Sequence, residues 1–382
     1  VKAVVLVGGE GTRLRPLTYT TPKPLLPIAN QPFLERQLSW LAEYGVTEVV
    51  LSLGYLPDAF ESHFPSGGFR CPGGDLVLRY AVEDHPLGTA GAIRFAAEAL
   101  GDLDERIVVC NGDVLTTLDL GALVQVHDER GAEATIALTQ VVDPSAFGVV
   151  PTRDDGEVIA FVEKPPPGKA PTNWINAGTY VLEPSVLARI PERLAVSIER
   201  ETFPRMLEEP RRLYAKADDA YWIDIGTPEK YLQAHTDVLD GALSRAGAHE
   251  ASGPPVAGAR ELSPGVWVQG EVTIDDGAVV EGPALLGDGV HLAAGSRVVG
   301  SVLGDGARVA HGGRVVRSVL HRDAVLDDDA EVIDSVLGAG AHLGAGSIAS
   351  LHTVVGAGGE LAAGAHASGA RIREAGASDQ DS

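Results

Sequence analysis

Ala3-Val4-Val5-Leu6-Val7-Gly8-Gly9-Glu10-Gly11-Thr12-Arg13-Leu14-Arg15-Pro16-Leu17-Thr18 opens the chain, with Pro22-Lys23-Pro24 close behind. Ala3–Val7 form an unbroken apolar run, the pattern of a strand buried on both faces. The glycines that follow offer bare backbone N–H groups to an anion. Charged side chains within residues 1–30 are Lys2, Arg13, Arg15 and Lys23 against Glu10 alone, in a chain of net charge −23. This local reversal of sign is what a bound polyphosphate requires. The stretch lacks GxxxxGK(S/T) spacing, and Leu14 stands where a dinucleotide fingerprint needs its third glycine. Taken alone, it also reads as an ordinary turn with two surface arginines.

The same strand pattern recurs. Phe33–Tyr44 reads as a helix with Leu34, Leu38 and Leu41 on one face and Gly45 as its stop. Val46–Leu53 reads as a strand, Ala90–Leu100 as a helix, Arg106–Cys110 as a strand, Asp119–Arg130 as a helix and Ala134–Val141 as a strand. This alternation predicts an α/β domain over residues 1–240, a doubly wound, mostly parallel, Rossmann-like sheet with helices on both faces. Ligands of such sheets sit beyond the carboxyl ends of the strands. Gly8–Gly11 and Asn111-Gly112-Asp113 both fall at such ends, so one cleft is expected to hold both. Residues 148–163 read as a hairpin turning at Asp155-Gly156. Thr227-Pro228 reads as the cap and first turn of a helix.

Residues 241–263, rich in Ala, Gly, Ser and Pro, read as a linker. From 264 the texture changes: Val268, Ile274, Val280, Leu286, Leu292 and Val298 recur every six residues. Leu286, Leu303, Leu320 and Leu337 recur every 17, with Val268 lying 18 before them and Val355 18 after. Three sides of about six residues make one coil of a parallel β-helix, with one inward apolar residue per side and Gly or Asp at the corners. The β-helix is expected over 264–365 and a flexible tail over 366–382.

The remaining totals exclude more than they assign. The acidic balance argues against nucleic acid and anionic membrane as partners. The two cysteines, Cys71 and Cys110, form no disulfide framework, and the apolar runs are short of a membrane span. With no signal-peptide pattern at its start, the chain is expected in the cytoplasm.

The opening motif with Pro22-Lys23-Pro24-Leu25 resembles the signature of the sugar-phosphate nucleotidylyltransferases. Further matches follow in that family's order: Pro86-Leu87-Gly88-Thr89-Ala90-Gly91, Asn111-Gly112-Asp113, Phe161-Val162-Glu163-Lys164-Pro165, Asn176-Ala177-Gly178, Ser197-Ile198-Glu199-Arg200-Glu201 and Trp222-Ile223-Asp224-Ile225-Gly226-Thr227-Pro228. The β-helix, left-handed in that family, is a common companion. Within the family the likeness is to the mannose-1-phosphate guanylyltransferases; a glucose-1-phosphate thymidylyltransferase or another pyrophosphorylase is the alternative. The resemblance implies transfer from a nucleoside triphosphate, GTP by preference, to a sugar-1-phosphate, mannose-1-phosphate by preference.

It also implies roles for residues. Arg13, Lys23 and Lys164 are expected to be catalytic. Leu6, Gly8, Gly9, Gly11, Thr12, Gly88 and Asn111 are expected to bind the nucleotide, with Gly88 letting the base lie against backbone. Gly148, Glu163, Asn176 and Gly178 are expected around the sugar phosphate, with Gly178 admitting the sugar ring. Asp113 and Asp224 are expected to hold Mg²⁺, which prefers one or two carboxylates beside water and phosphate oxygens. His291, His311, His321, His342 and His352 fall in the β-helix. An acyltransferase would use one as a base, but solvated side chains are the simpler reading. The β-helix reads as an assembly or regulatory element, separate from the chemistry, in a homo-oligomer. A non-catalytic nucleotide-sugar-binding subunit is the contrary reading, and retention of Arg13, Lys23, Asp113, Lys164 and Asp224 speaks against it.

Overall fold

A computed structural model describes residues 2–101, 104–209, 212–243 and 254–373. The chain packs as two compact units, one of residues 1–9 with 34–222, the other of residues 10–33 with 223–382. Packing therefore divides the chain inside the opening motif, between Gly9 and Glu10, and not where composition changes near 241.

The first unit is built on a ten-stranded mixed sheet. At its centre Ile107–Asn111, Lys2–Leu6, Glu48–Leu53 and Gly74–Val82 run parallel in that order. Trp174–Leu182 joins Ile107–Asn111 antiparallel, and Gly68–Cys71 closes the other side antiparallel. The doubly wound character lies in the four central strands. Ala3, Val4 and Val5 are all fully buried, so both faces of this strand are covered. On one face Val4, Val50 and Val109 pack with Ala90, Ile93 and Ala96 of the helix Gly88–Ala99. The helix Phe33–Glu43 buries Leu34, Leu38 and Leu41, as its spacing predicts. The helix Leu120–Arg130 is capped by Asp119, whose Oδ1 accepts the Ala122 N–H at 3.0 Å, and stops at Gly131 in the left-handed region. The hairpin pairs Gly148 with Glu163 and Val149 with Val162 and turns at Gly156.

The second unit holds the β-helix. Three parallel sheets run along it, and the inward residues stack coil upon coil: Val268, Leu286, Leu303, Leu320, Leu337, Val355 and Ile372 in one sheet. Ile274, Leu292, Val309, Leu326, Leu343 and Leu361 stack in the second. Each step is 17 or 18 residues, the spacing read from sequence. Gly306 and Gly312 turn their corners with positive φ, and Asp323 and Asp329 do the same one coil on.

Three expectations need correction. Ala259–Ser263 is not linker but a strand paired antiparallel with Val266–Gln269. His366–Ser368 and Arg371–Ile372 are not tail but the last strands of the coil, because their backbone groups complete the sheets below. Residues 244–253 of the expected linker and 374–382 of the expected tail lie outside the described residues. Finally, the β-helix is not packed apart from the opening motif: Glu10–Phe33, with Arg13 and Lys23, belongs to the same compact unit.

His321 is a buried member of that packing. Its Nε2 lies 2.9 Å from the Tyr231 hydroxyl, which also donates to the Pro27 carbonyl. Burial pushes the imidazole down to about 4, so it stays neutral in the folded chain. An unfolded histidine takes up its proton near pH ~6.5. The unfolded state therefore binds the extra proton between those values, so stability rises with pH across that window, and lowering the pH through it costs about 3 kcal/mol. Above the window this term is constant. Chemical unfolding at pH 7 and at pH 4.5 should show the loss in the parent chain. His321→Gln should remove most of that difference.

Candidate active site

The residues that sequence singles out fall into two sets, one in each unit. In the first unit the carboxyl ends of the central strands bring the glycine turn and Asn111-Gly112-Asp113 side by side. Leu6 pairs with Asn111 and with Ser52. The Gly112 N–H donates to the Leu6 carbonyl at 2.9 Å. A Cβ on Gly112 would lie 2.4 Å from Val7 Cγ1, so only glycine lets Asp113 follow here. Asp113 is half-buried. Gly9 is exposed, with nothing within 4 Å of the place a Cβ would occupy, so its backbone faces open space. Gly8 is closer set, 3.3 Å from the Gly54 nitrogen by the same measure.

From Asn111 the set continues across the sheet. Gly178 has φ +74°, and a Cβ there would fall 2.6 Å from Asn111 Nδ2. The space left by this glycine is filled by the Asn111 amide, not left for a ring. Asn176 donates from Nδ2 to the Tyr180 hydroxyl at 2.7 Å and accepts the Gly178 N–H at 2.9 Å. These bonds hold the bulge between Asn176 and Tyr180 and leave Asn176 one free amide hydrogen. The neighbouring Ile175 pairs with Val149, next to Gly148. A Cβ on Gly148 would meet the Phe161 ring at 2.7 Å and Glu163 Oε2 at 3.1 Å, so this glycine makes room for both. Lys164 is exposed and holds φ +48°, a region costly for a non-glycine residue and associated with functional positions. Its Nζ lies 3.7 Å from Glu163 Oε1.

Gly88 starts its helix with φ +66°, and a Cβ there would lie 2.6 Å from the Val196 carbonyl oxygen. Backbone does approach Gly88, but it is the chain's own. Sequence reasoning missed the network this creates. Glu199 accepts from the hydroxyls of Thr89 at 2.7 Å and Ser197 at 2.8 Å. Thr89 Oγ1 accepts the Ile198 N–H. Ile198–Thr202 is a single π-helical turn, a device frequent at functional sites, and Arg200 reaches to 3.6 Å from Glu163. The signal was present in Ser197-Ile198-Glu199-Arg200-Glu201, but not the partner of each residue.

In the second unit Gly11, with φ +61°, begins a tight turn over Thr12–Leu14. Thr18 Oγ1 donates to the Gly11 carbonyl at 3.0 Å. A Cβ on Gly11 would crowd Thr18 and Lys23 at 3.0 and 3.1 Å. Arg15 is engaged by Glu10 at 2.7 Å. Arg13 is exposed, and no carboxylate stands within ion-pair distance of it among the described residues. Lys23 is buried, 7% exposed.

Asp224 is tightly held. Its Oδ1 accepts the Gly226 N–H at 2.6 Å, and Oδ2 accepts Lys230 Nζ at 3.0 Å. Burial pushes its pKa up, but the hydrogen bond and charge of Lys230, the charge of Lys23 and the Gly226 N–H outweigh burial and hold it below the usual range. Asp224 is therefore ionised and keeps lone pairs for a further partner. Lys230 was missed, although it stands three residues beyond the Thr227 cap. A carboxylate of this kind suits a hard divalent cation, which nucleotidyl transferases generally use. Among the described residues no three His, Cys, Asp or Glu gather as a metal cluster.

Residues 2–241 match the nucleotidyl transferase family. The chain belongs to that family. This nucleotidyl transferase is 41% identical over 309 residues to the mannose-1-phosphate guanylyltransferase of Mycobacterium tuberculosis, covering 79% of each chain. It is 38% identical over 301 residues to the probable mannose-1-phosphate guanylyltransferase 3 of Oryza sativa subsp. japonica, covering 77% of this chain and 80% of that one. Among solved structures it is similar to HddC from Yersinia pseudotuberculosis, with 30% identity and a TM-score of 0.52, over 61% of this chain and 97% of that one. The same protein complexed with GMP-PN matches with a TM-score of 0.51. No helix among the described residues is long and apolar enough to cross a membrane.

The environment of Asp224 makes a prediction. Lys230→Met removes the largest influence opposing burial, so the Asp224 pKa rises. The acidic limb of the pH–rate profile should shift to higher pH while the alkaline limb stays in place. An unchanged acidic limb would show that Asp224 does not set it.

Proposed function

We propose that this nucleotidyl transferase joins GTP and mannose-1-phosphate to give GDP-mannose and pyrophosphate. The reading rests on the likeness to proteins of that name, which extends over 309 residues at 41% identity. An oxygen of the sugar phosphate attacks the α-phosphorus of GTP. The new P–O bond forms as the bond from that phosphorus to the β-phosphate oxygen breaks, and pyrophosphate leaves with the electron pair. The transfer needs no covalent enzyme intermediate, so the residues contribute position and charge.

In this proposal Arg13, exposed and unpaired with a carboxylate, stabilises the charge that grows on the departing pyrophosphate. Lys23 neutralises the triphosphate. The backbone at Gly8, Gly9 and Gly11 cradles phosphate oxygens, and Leu6, Thr12, Gly88 and Asn111 border the nucleoside. Lys164 orients the sugar phosphate. Glu163 and the remaining amide hydrogen of Asn176 bond sugar hydroxyls, while Gly148 and Gly178 act by seating Glu163 and Asn111. Asp113 and Asp224 are the carboxylates that would hold Mg²⁺, which would supply positive charge to phosphate oxygens. Residues 1–240 carry the chemistry, the chain works in the cytoplasm, and it assembles as a homo-oligomer.

The test is pyrophosphate release with Mg²⁺, each NTP and each sugar-1-phosphate in turn. GTP with mannose-1-phosphate should be the best pair. Release with dTTP and glucose-1-phosphate alone would overturn the substrate reading, and no release with any pair would overturn the enzyme. Arg13→Ala should lower kcat by roughly 10²–10³-fold with the melting temperature unchanged. Near-normal turnover would remove Arg13 from the chemistry.

A further inference from the structure

The segment Glu10–Phe33 is fastened to the β-helix at several places. Asn30 Nδ2 donates to Gln269 Oε1 at 3.3 Å and to the Leu303 carbonyl at 3.0 Å. Pro27 is reached by the Tyr231 hydroxyl, which His321 holds from the coil side that follows Leu320. The fastening nearest Arg13 is made by the last coil. Pro16 Cβ and Cγ each lie 3.1 Å from where a Cβ on Gly356 would be, so the bare backbone of Gly356 seats the proline ring. Arg373 Nη2 donates to the Tyr19 hydroxyl, and the Arg373 guanidinium lies 4.5 Å from the Tyr19 ring centroid. The Arg15 guanidinium lies 5.0 Å from the same centroid. One tyrosine ring thus holds two arginines, one from the β-helix and one two residues beyond Arg13.

We propose that Arg373 is a positioning residue for the triphosphate-binding segment: through Tyr19 and Arg15 it fixes the turn that carries Arg13. Two observations favour this over simple surface packing. Arg15 is held on its other side by Glu10 at 2.7 Å, so the turn Gly11–Leu14 is anchored at both ends. The ring is ordered by a cation on the β-helix, which gives the last coil a direct purchase on the motif. A cation over an aromatic ring with a hydrogen bond at the ring's edge is a strong, orientation-dependent contact. Arg373 touches no substrate in this proposal. Its effect is on how well the turn is preformed before the triphosphate arrives, and preorganisation is expressed in binding.

This inference rests on the reading of the chain as an NTP-using transferase, and the test separates the two. A parent chain that releases no pyrophosphate from any NTP and sugar-1-phosphate pair defeats that reading. With an active parent chain, Arg373→Ala should raise the KM for GTP about tenfold, leaving kcat and the KM for mannose-1-phosphate within about twofold. Equilibrium binding of GTP without the sugar phosphate should weaken by the same factor. Arg373→Lys should recover part of the loss, since it keeps the cation but not the planar fork. Tyr19→Phe, which keeps the ring and loses the hydroxyl, should fall between parent and Arg373→Ala. The proposal is overturned if GTP binding is unchanged in Arg373→Ala. It is equally overturned if both KM values rise together in step with a lowered melting temperature.

Discussion

The close approach of Gly112 to Leu6 and Val7 is the constraint on which the arrangement of the first unit's candidate residues depends. Two adjacent parallel strands end there, and the backbone of one crosses the end of the other with no room for a side chain. The crossing places Asp113 beside the glycine turn and aims the Asn111 amide at Gly178. From Gly178 the arrangement passes to Asn176, to the strand bearing Gly148, and to Glu163 and Lys164. The steps at Gly178 and Gly148 are close fits of a bare glycine against neighbouring side chains, and Asn176 is joined to Gly178 by a hydrogen bond. A polar cluster is thus ordered by the absence of side chains as much as by their presence.

Charge is handled differently in the two units. In the first, the carboxylates Glu163 and Glu199 are met by Arg200 and by hydroxyls. In the second, Asp224 is gripped by Lys230 and influenced by Lys23, and it stays ionised in spite of burial. In an acidic chain these cations are gathered around single carboxylates, and Asp224 keeps its charge because Lys230 and Lys23 stand close to it.

Much of the fold was legible because periodicity is a local property. The run Ala3–Val7 marked a strand covered on both faces, and Thr227-Pro228 marked a helix start. The 17-residue return of Leu286, Leu303, Leu320 and Leu337 gave the register of a whole sheet. What escaped was pairing over distance. Nothing near Gly88 announces that Val196 will fill its open side, and nothing near Gly178 announces Asn111. Lys230 carried no motif, yet its ammonium reaches back to Asp224 from the first turn of the helix that follows the strand. The end of the β-helix was misjudged for a related reason. His366–Ile372 is small and polar, but its strands are held by backbone bonds to the coil before, which composition does not report.

The second unit draws its residues from two distant parts of the chain, 10–33 and 223–382, and this bears on how such genes can be recombined. A chimaera that joins residues 1–240 of one relative to the repeats of another keeps the chain's apparent boundary intact. It nevertheless brings a foreign Tyr19, Pro16 and Asn30 to a seat shaped for others. Exchange is conservative only when the short N-terminal segment travels with the repeats. The inheritance of the opening motif is tied to residues more than three hundred positions away, so the two should change together as the family diverges.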